Sequence, residues 1–545
     1  MSSLFEQLLK KRGLTGSSLK AFLNPNYDTT PDPFLMTSMK EAVERIGAAK
    51  GSQEKVLIYG DYDADGVTST ALLYDALESF GFEQIEYILP HRVKDGYGLS
   101  GSAVDKIKRA KPDLVITVDC GSSDNSEINE LMKSGIDVIV TDHHQFRGEV
   151  PEAVAVINPN RPNDKYPFKQ LSGVGVTFKL VQALQTKLEG LPKGQEKWLL
   201  DLVAIGTVCD CVPLVEENRV NTYYGLKVLD KTRRLGLKAL VDTAGIKQQL
   251  GSSDLGFRIG PRLNAAGRLA KADQSLELLL ETDPEKATGQ ALSLNQLNDQ
   301  RKSLQGEIFK DIVSQGIDES ENVLFVVSSD WHEGIIGILA SKLTERYKKP
   351  TFVFTKVEDE LLKGSARSFG DFSLADSIKA GQEHIEKGGG HHEAAGVTIK
   401  AKNLEAFRQA VNSYYDSLSL KGQEQLLNEA EDLEVEDLSL LDLDLTQNLT
   451  DLEPFGNGNP EPIFKLANVK IETENWLGAE KNHLRLMVSD SHGNELKLMS
   501  FYGSDSYKGK LANTHVDIWI TLNVNEWNGR KSVEGRLIRL QIHTG

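Results

Sequence analysis

KVLIYGDYDADGVTSTALLYDALESF, residues 55–80, decides the fold. A short apolar run ends at Gly60, aspartates follow at alternate positions, and a helix-like pattern then runs to Phe80. This reads as a buried strand, a polar turn and a helix. Outward from it, IEYIL, SAVDKIKRAK, DLVITV, SEINELMKS, DVIVT and AVAVI continue the alternation. Alternating strands and helices predict an α/β domain on a doubly wound, mostly parallel sheet. From about 175 to 315 the chain reads as mainly helical, with loops at GTVCDCVPL and GPRLNAAGRL and a long connecting helix over about 286–314. VLFVV, HEGIIGILASKLTERY and TFVF open a second α/β unit near Val323. After Ile463, five β-rich segments in about 90 residues suit a small β-barrel, an OB-fold, with an SH3-like barrel fitting nearly as well. The expected divisions are an N-terminal helical segment (1–50), a first α/β domain (51–285), the connecting helix (286–321), a second α/β domain (322–421), an acidic linker with some packed leucines (422–453) and the barrel (454–545).

The 545 residues carry a formal charge of −17. That excludes a protein that coats duplex DNA through bulk positive potential, but not a nucleic-acid enzyme with a local basic groove. Residues 422–453 hold eleven acids and no lysine or arginine, whereas 454–545 hold eleven basic residues against ten acids, so the barrel is slightly basic. No apolar run is long enough to span a membrane, and the N-terminus lacks a signal-peptide pattern. Cys120, Cys209 and Cys211 cannot make a disulfide framework, and a reducing cytoplasm is expected.

The chemistry concentrates at strand ends. Asp61, Asp63 and Asp65 follow the first strand, and in an extended segment they would share one face. Asp119 ends DLVITVDCG, Asp142-His143-His144 ends DVIVTDHH, and Asp210 follows an apolar helix. Each alone has an ordinary reading as a turn, a cap or a surface histidine pair. Together, three follow strands whose C-terminal ends line the ligand crevice of such a sheet. A mixed set of about five Asp and His ligands suits two Mn²⁺ or Mg²⁺ ions better than one Zn²⁺. Paired ions are the usual apparatus for water attack on phosphorus.

GDYDADG, VDCG, DHH and GTVCDCVPL, in this order, resemble the motifs of the DHH phosphoesterase superfamily. GSARS (364–368) and GGHHEAAG (389–396) resemble the phosphate-binding motifs of its associated substrate domain. SDWHEGIIGILASKLTERYKKPTFVF and PFGNGNPEPIF narrow the resemblance to the branch of bacterial single-strand-specific 5′→3′ DNA exonucleases, over roughly residues 40–545. The resemblance implies that Asp63 and Asp65 hold one ion each, Asp119 bridges both, and His143 and Asp210 complete the second ion's shell. Asp61 is implied as a ligand acting directly or through a water, and His144 as a contact to the scissile phosphate. Tyr59 stands where many relatives have a histidine. Arg92 and Tyr97 of PHRVKDGYGLS are implied to clamp a phosphate and stack on a base. Arg262, Arg268, Ser365, Arg367 and His391 are further phosphate candidates, with His392 incidental. Among Trp476, Phe501, Tyr502, Trp519 and Trp527, the last, beside Arg530 and Lys531, is the expected exposed stacking residue.

The implied activity is two-metal hydrolysis of single-stranded DNA to 5′-mononucleotides in repair and recombination, with a helicase and a single-strand-binding protein as candidate partners. The chain's end at the barrel leaves no further partner-binding domain to expect. Two rival readings are a superfamily phosphoesterase for short oligonucleotides, 3′-phosphoadenosine phosphate or cyclic dinucleotides, and a non-catalytic replication scaffold. The shorter relatives lack a barrel, and the scaffold reading conflicts with the intact ligand set.

Overall fold

The computed structural model describes residues 3–358, 360–418, 431–478, 481–501, 511–527 and 529–543. The first sheet has five parallel strands, β1 (Val56–Tyr59), β2 (Ile85–Ile88), β3 (Leu114–Val118), β4 (Asp137–Thr141) and β5 (Ala155–Ile157), in the order β2-β1-β3-β4-β5. Its central strands are buried on both faces, which is why they read as continuous apolar runs. Successive side chains alternate between two cores. Val56 and Ile58 pack with Val67 and Ala71 of the helix Ala64–Ser79 and with Val174 of the helix Gly173–Leu184. Leu57 and Tyr59 pack with Val104, Ile107, Ile128 and Leu131 on the opposite face. The doubly wound sheet is as expected, and β1, β3 and β4 deliver their following loops to one edge.

The helix Pro284–Gln315 leads to a second, mixed sheet of β6 (Leu324–Ser328), β7 (Thr351–Lys356), β8 (Leu361–Arg367), β9 (Lys387–Gly390) and β10 (Ala394–Lys400). Its order is β6-β7-β8-β10-β9, and only β6–β7 is parallel. GSARS is thus largely strand β8, facing the Ala394–Lys400 strand that ends GGHHEAAG.

The C-terminal strands are β11 (Leu433–Val435), β12 (Phe464–Leu477), β13 (His483–Ser489), β14 (Glu495–Ser500), β15 (His515–Trp527) and β16 (Arg530–Ile542). Strands β12-β13-β14-β16-β15 close through a β12–β15 pairing, with β14 and β16 parallel. This five-stranded Greek-key closure is the OB arrangement. No helix among the described residues is long and apolar enough to cross a membrane.

Three expectations need correction. GPRLNAAGRL is no loop: Gly260–Leu269 is a helix entered through a π-helical turn, Leu255–Ile259. Its small residues serve close packing, since a Cβ on Gly267 would stand 2.5 Å from the Tyr62 carbonyl oxygen. The stretch 422–453 is not simply a linker, although residues 419–430 lie outside the described residues. Strand β11 pairs with β12, and Leu438, Leu441, Leu445 and Leu449 enter the barrel core while the acids stay outside. The N-terminal segment also joins the barrel. In the helix Ser3–Lys11, Leu4, Phe5, Leu8 and Leu9 recur at helical spacing and are buried in the barrel core. Arg12 then grips Asp432 with two nitrogens, at 2.7 and 2.9 Å.

Phe5→Ala should therefore destabilise the barrel by about 3–5 kcal/mol, the range for removing a buried ring. The measurement is thermal or urea unfolding followed by barrel tryptophan fluorescence, with metal uptake at the first domain expected to stay unchanged.

Candidate metal centre

Asp63 caps the helix Ala64–Ser79, its Oδ1 accepting the N–H groups of Asp65 (3.0 Å) and Gly66 (3.2 Å). The cap overturns the expectation of an extended segment with three carboxylates on one face, because the chain turns helical at Ala64. Asn264 accepts the Ala64 N–H at 2.9 Å and fixes the turn from across the domain. Asp65 lies in the first helical turn and reaches the N-terminus of another helix, accepting from Gly173 N (2.7 Å) and Val174 N (2.9 Å). Gly173 has to be small, since a Cβ there would lie 2.4 Å from Asp119 Oδ1.

Asp119 ends β3 in a left-handed backbone conformation, φ 61°, a sparsely populated state for a non-glycine residue. Its carbonyl accepts from the Tyr97 hydroxyl at 3.2 Å. Asp210 terminates the helix Leu200–Cys209. His143 aims Nε2 into the acids, 3.2 Å from Asp119 Oδ1, 3.6 Å from Asp210 Oδ2 and 4.0 Å from Asp65 Oδ2. Its neighbour His144 places Nδ1 2.8 Å from Asp142 Oδ1 and 2.8 Å from the Tyr97 hydroxyl. Tyr59 takes no part, for its hydroxyl donates to the Gly98 carbonyl.

The electrostatics are those of a centre short of positive charge. Burial, then the charge of Asp63, pushes Asp61 well above the carboxylate range and Asp65 up to about 7. Asp119 and Asp210 are raised by burial and then by Asp65 and Asp63. Burial, with His144 beside it, lowers His143 to about 4 and keeps its ring neutral, the state that ligates metal. For His144 burial opposes the charge, but Asp142, with Asp210 and Asp61, outweighs it and lifts the ring to about 9. Asp142 is held well below its ordinary value, against burial, by His144, His143 and the Ser122 N–H.

Three sets of possible ligand atoms lie within 4.8 Å of one another: Asp61, Asp63 and Asp119; Asp65, His143 and Asp210; and Asp119, His143 and His144. Asp61 Oδ1, Asp119 Oδ1 and His143 Nε2 are buried without a hydrogen-bond partner. Orphaned acceptors facing one another fit divalent cations, and two overlapping sets fit a pair.

Cations gather separately. The Arg92 guanidinium lies 3.9 Å over the Tyr62 ring, with its Nε buried and unpartnered. Arg268 is lowered to about 9 by burial and then by Arg92, Arg301 and Arg367. Arg367 is likewise lowered by burial and then by Arg92, and its Nη1 lies 3.3 Å from Ser365 Oγ. Arg268 and Arg301 line a cleft of about 210 Å³ with Cys209, Gly256 and Asn264. His391 lies close enough to Arg147 and His144 to feel their charge. Arg262 is not brought to this cluster, since its Nε donates to Asn295 and its Nη1 to the Arg258 carbonyl. Tyr97 turns its hydroxyl into the centre and leaves its ring 45% exposed.

Sequence reading gave no role to Asp142, Asn264 or Arg301. Asp142 lay in a quoted motif, between a strand and two histidines, and that position was the available signal. Arg301 sits in a polar helix that offers none. In the barrel, Trp519 is buried, with its indole donating to Glu431, and Phe501 is 59% exposed. Tyr502 and the Trp527 side chain lie outside the described residues.

Residues 55–207 match the DHH family, N-terminal domain, residues 320–417 the DHHA1 domain, and residues 432–539 the RecJ OB domain. The single-stranded-DNA-specific exonuclease RecJ of Bacillus subtilis is 36% identical, over 97% of this chain and 67% of the relative. That of Haemophilus influenzae is 34% identical, over 95% and 91%. The crystal structure of RecJ in complex with Mn²⁺ from Thermus thermophilus superposes with a TM-score of 0.85 at 28% identity, covering 99% of this chain and 76% of that one. The same organism's RecJ in complex with Mg²⁺ gives 0.79 at 27% identity, covering 99% and 75%.

An acid raised by folding stabilises the fold at low pH and loses that contribution as pH rises through its folded value. For Asp65 the window runs from 3.8 to about 7. The metal-free protein should lose stability across it, and Mn²⁺ should restore stability above it. Asp210→Asn, which removes one repelling charge, should raise the metal-free melting midpoint at alkaline pH by roughly 2–4 °C and shrink the gain on adding Mn²⁺. Differential scanning fluorimetry across pH, with and without Mn²⁺, checks both.

Proposed function

The chain belongs to the RecJ family, and on that footing we propose that it is a metal-dependent exodeoxyribonuclease specific for single strands. It works 5′→3′ and releases 5′-mononucleotides, in cytoplasmic DNA repair and recombination, on strands exposed by a helicase and covered by a single-strand-binding protein. One observation carries the reading: a nest of buried carboxylates and a separate guanidinium cluster flank the junction of the two α/β domains.

Asp63 and Asp65 would hold one divalent ion each, with Asp119 shared, Asp61 beside the first, and His143 and Asp210 at the second. When bound, Mn²⁺ or Mg²⁺ supplies Lewis acidity to phosphoryl oxygens and acidifies water. The remaining work falls to the chain itself. Asp142 and Tyr97 fix the His144 ring, so its positive charge faces the place where a phosphate loses its leaving group. Burial and neighbouring guanidiniums disfavour the charge on Arg268 and Arg367, so a terminal 5′-phosphate held between them and Arg92 would relieve that strain. Ser365 adds a hydroxyl to that grip. With the terminal phosphate held there, the next phosphodiester falls to the carboxylate nest, which makes the product one nucleotide long.

The two domains meet closely around this region. Arg268 donates to the Gly334 carbonyl at 3.4 Å, and Arg147 packs against Gly389. A cleft bridged in this way suits one strand and not a duplex.

A time course on 5′- and 3′-labelled single strands, with Mn²⁺, Mg²⁺ or chelator, tests the proposal. The 5′ label should leave at once as a mononucleotide, the 3′-labelled strand should shorten progressively, and chelator should stop both. Early release of the 3′ label, or equal digestion of blunt duplex, would sink it. Arg367→Ala should lower kcat/KM on 5′-phosphorylated strands by about 10–100-fold, the scale of one charged hydrogen bond, and erase their advantage over 5′-hydroxyl strands.

A further inference from the structure

Phe257 is 82% exposed, more than any other large apolar side chain among the described residues. It does not sit on a loose loop. It belongs to the π-helical turn Leu255–Ile259, whose end residues Leu255 and Ile259 are fully buried. The next residue, Arg258, ties the turn down by an ion pair to Asp254 at 3.0 Å and a bond to the Ala244 carbonyl at 2.7 Å. The frame is thus pinned on both sides while the ring is held out in water. π-helical turns of this kind occur often at functional sites.

The turn borders a cleft lined by arginines. The preceding residue, Gly256, lines the cleft that Arg268 and Arg301 share with Asn264. The helix following the turn carries Asn264, which fixes the Ala64 N–H beside the metal-ligand candidates, and Arg268 of the guanidinium cluster. An exposed aromatic ring one residue from the wall of a cleft lined by Arg268 and Arg301 offers the two things a single strand needs, cations for its phosphates and a flat apolar surface for a base.

We propose that Phe257 stacks on a base of the single strand just downstream of the bond being cleaved, with Arg301 beside the intervening phosphates. Phe257 is then a positioning residue, remote from the reacting atoms, and it sets how firmly a strand longer than the product is held. The inference rests on the single-strand nuclease reading above.

The test compares wild type, Phe257→Ala, Phe257→Leu and Phe257→Trp on a 5′-phosphorylated dinucleotide and on a strand of about twenty nucleotides. Phe257→Ala should raise KM on the long strand about 10-fold, the scale of one base–aromatic stack, with kcat nearly unchanged. Phe257→Leu keeps apolar bulk without an aromatic face and should behave like alanine, whereas Phe257→Trp should restore the wild-type KM. All four should cleave the dinucleotide alike, with equal melting midpoints. 2-Aminopurine moved along the strand should be quenched at one position in wild type and not in Phe257→Ala. An unchanged long-strand KM in Phe257→Ala, a leucine variant as good as wild type, or an equal loss on the dinucleotide overturns the inference and leaves the nuclease reading standing. A wild type inert on every single strand overturns both.

Discussion

Asp61, Asp63, Asp65, Asp119 and Asp210 repel one another, and the fold forces them together, with Asp61, Asp65 and Asp119 almost wholly out of water and Asp63 and Asp210 half-buried. They come from a strand end, a helix start, a second strand end and a helix end, so no local rearrangement relieves the crowding. Backbone N–H groups of the Gly173–Leu184 helix hold Asp65 in place, and a left-handed backbone holds Asp119. Small residues at Gly173 and Gly206 let two helices press against the acids, where a Cβ would come within 2.4 and 2.6 Å of Asp119 and Asp65 oxygens. Such packing persists only if something repeatedly supplies positive charge.

The same logic runs with opposite sign a short way off. Arg92, Arg268, Arg301 and Arg367 come from a βα loop, a helix, the long connecting helix and the second domain, and the charges of the other three add to burial in lowering Arg268. Neither cluster neutralises the other through a direct ion pair among the described residues. A nucleic-acid backbone in the presence of divalent ions would satisfy both at once. The overall charge of −17 is therefore no obstacle, because the binding field is assembled locally from four segments.

The first domain was legible because its physics is local. Strands buried on both faces read as apolar runs, and acids just beyond them stand out. GPRLNAAGRL was misread because glycine, proline and asparagine signal a loop in sequence, yet here they allow a helix to lie against Tyr62. The acidic stretch was legible as a linker with some packed leucines, but not that Leu438, Leu441, Leu445, Leu449 and Leu452 belong to the barrel core. Arg301 was invisible, since an arginine in a polar helix looks like any surface residue until tertiary structure sets it across a cleft from Arg268. The choice between an OB-fold and an SH3-like barrel depended on which strands close the cylinder, a long-range fact that strand patterns do not encode.

The clasp between Arg12 and Asp432 joins positions 420 residues apart. On the ribosome, the helix Ser3–Lys11 is made long before the barrel strands that seat it. Until those strands are made, Leu4, Phe5, Leu8 and Leu9 have no core to enter, while the catalytic domain has time to fold behind them. Nascent chains stalled before β16 would be expected to hold a finished first sheet and an orphaned leading helix.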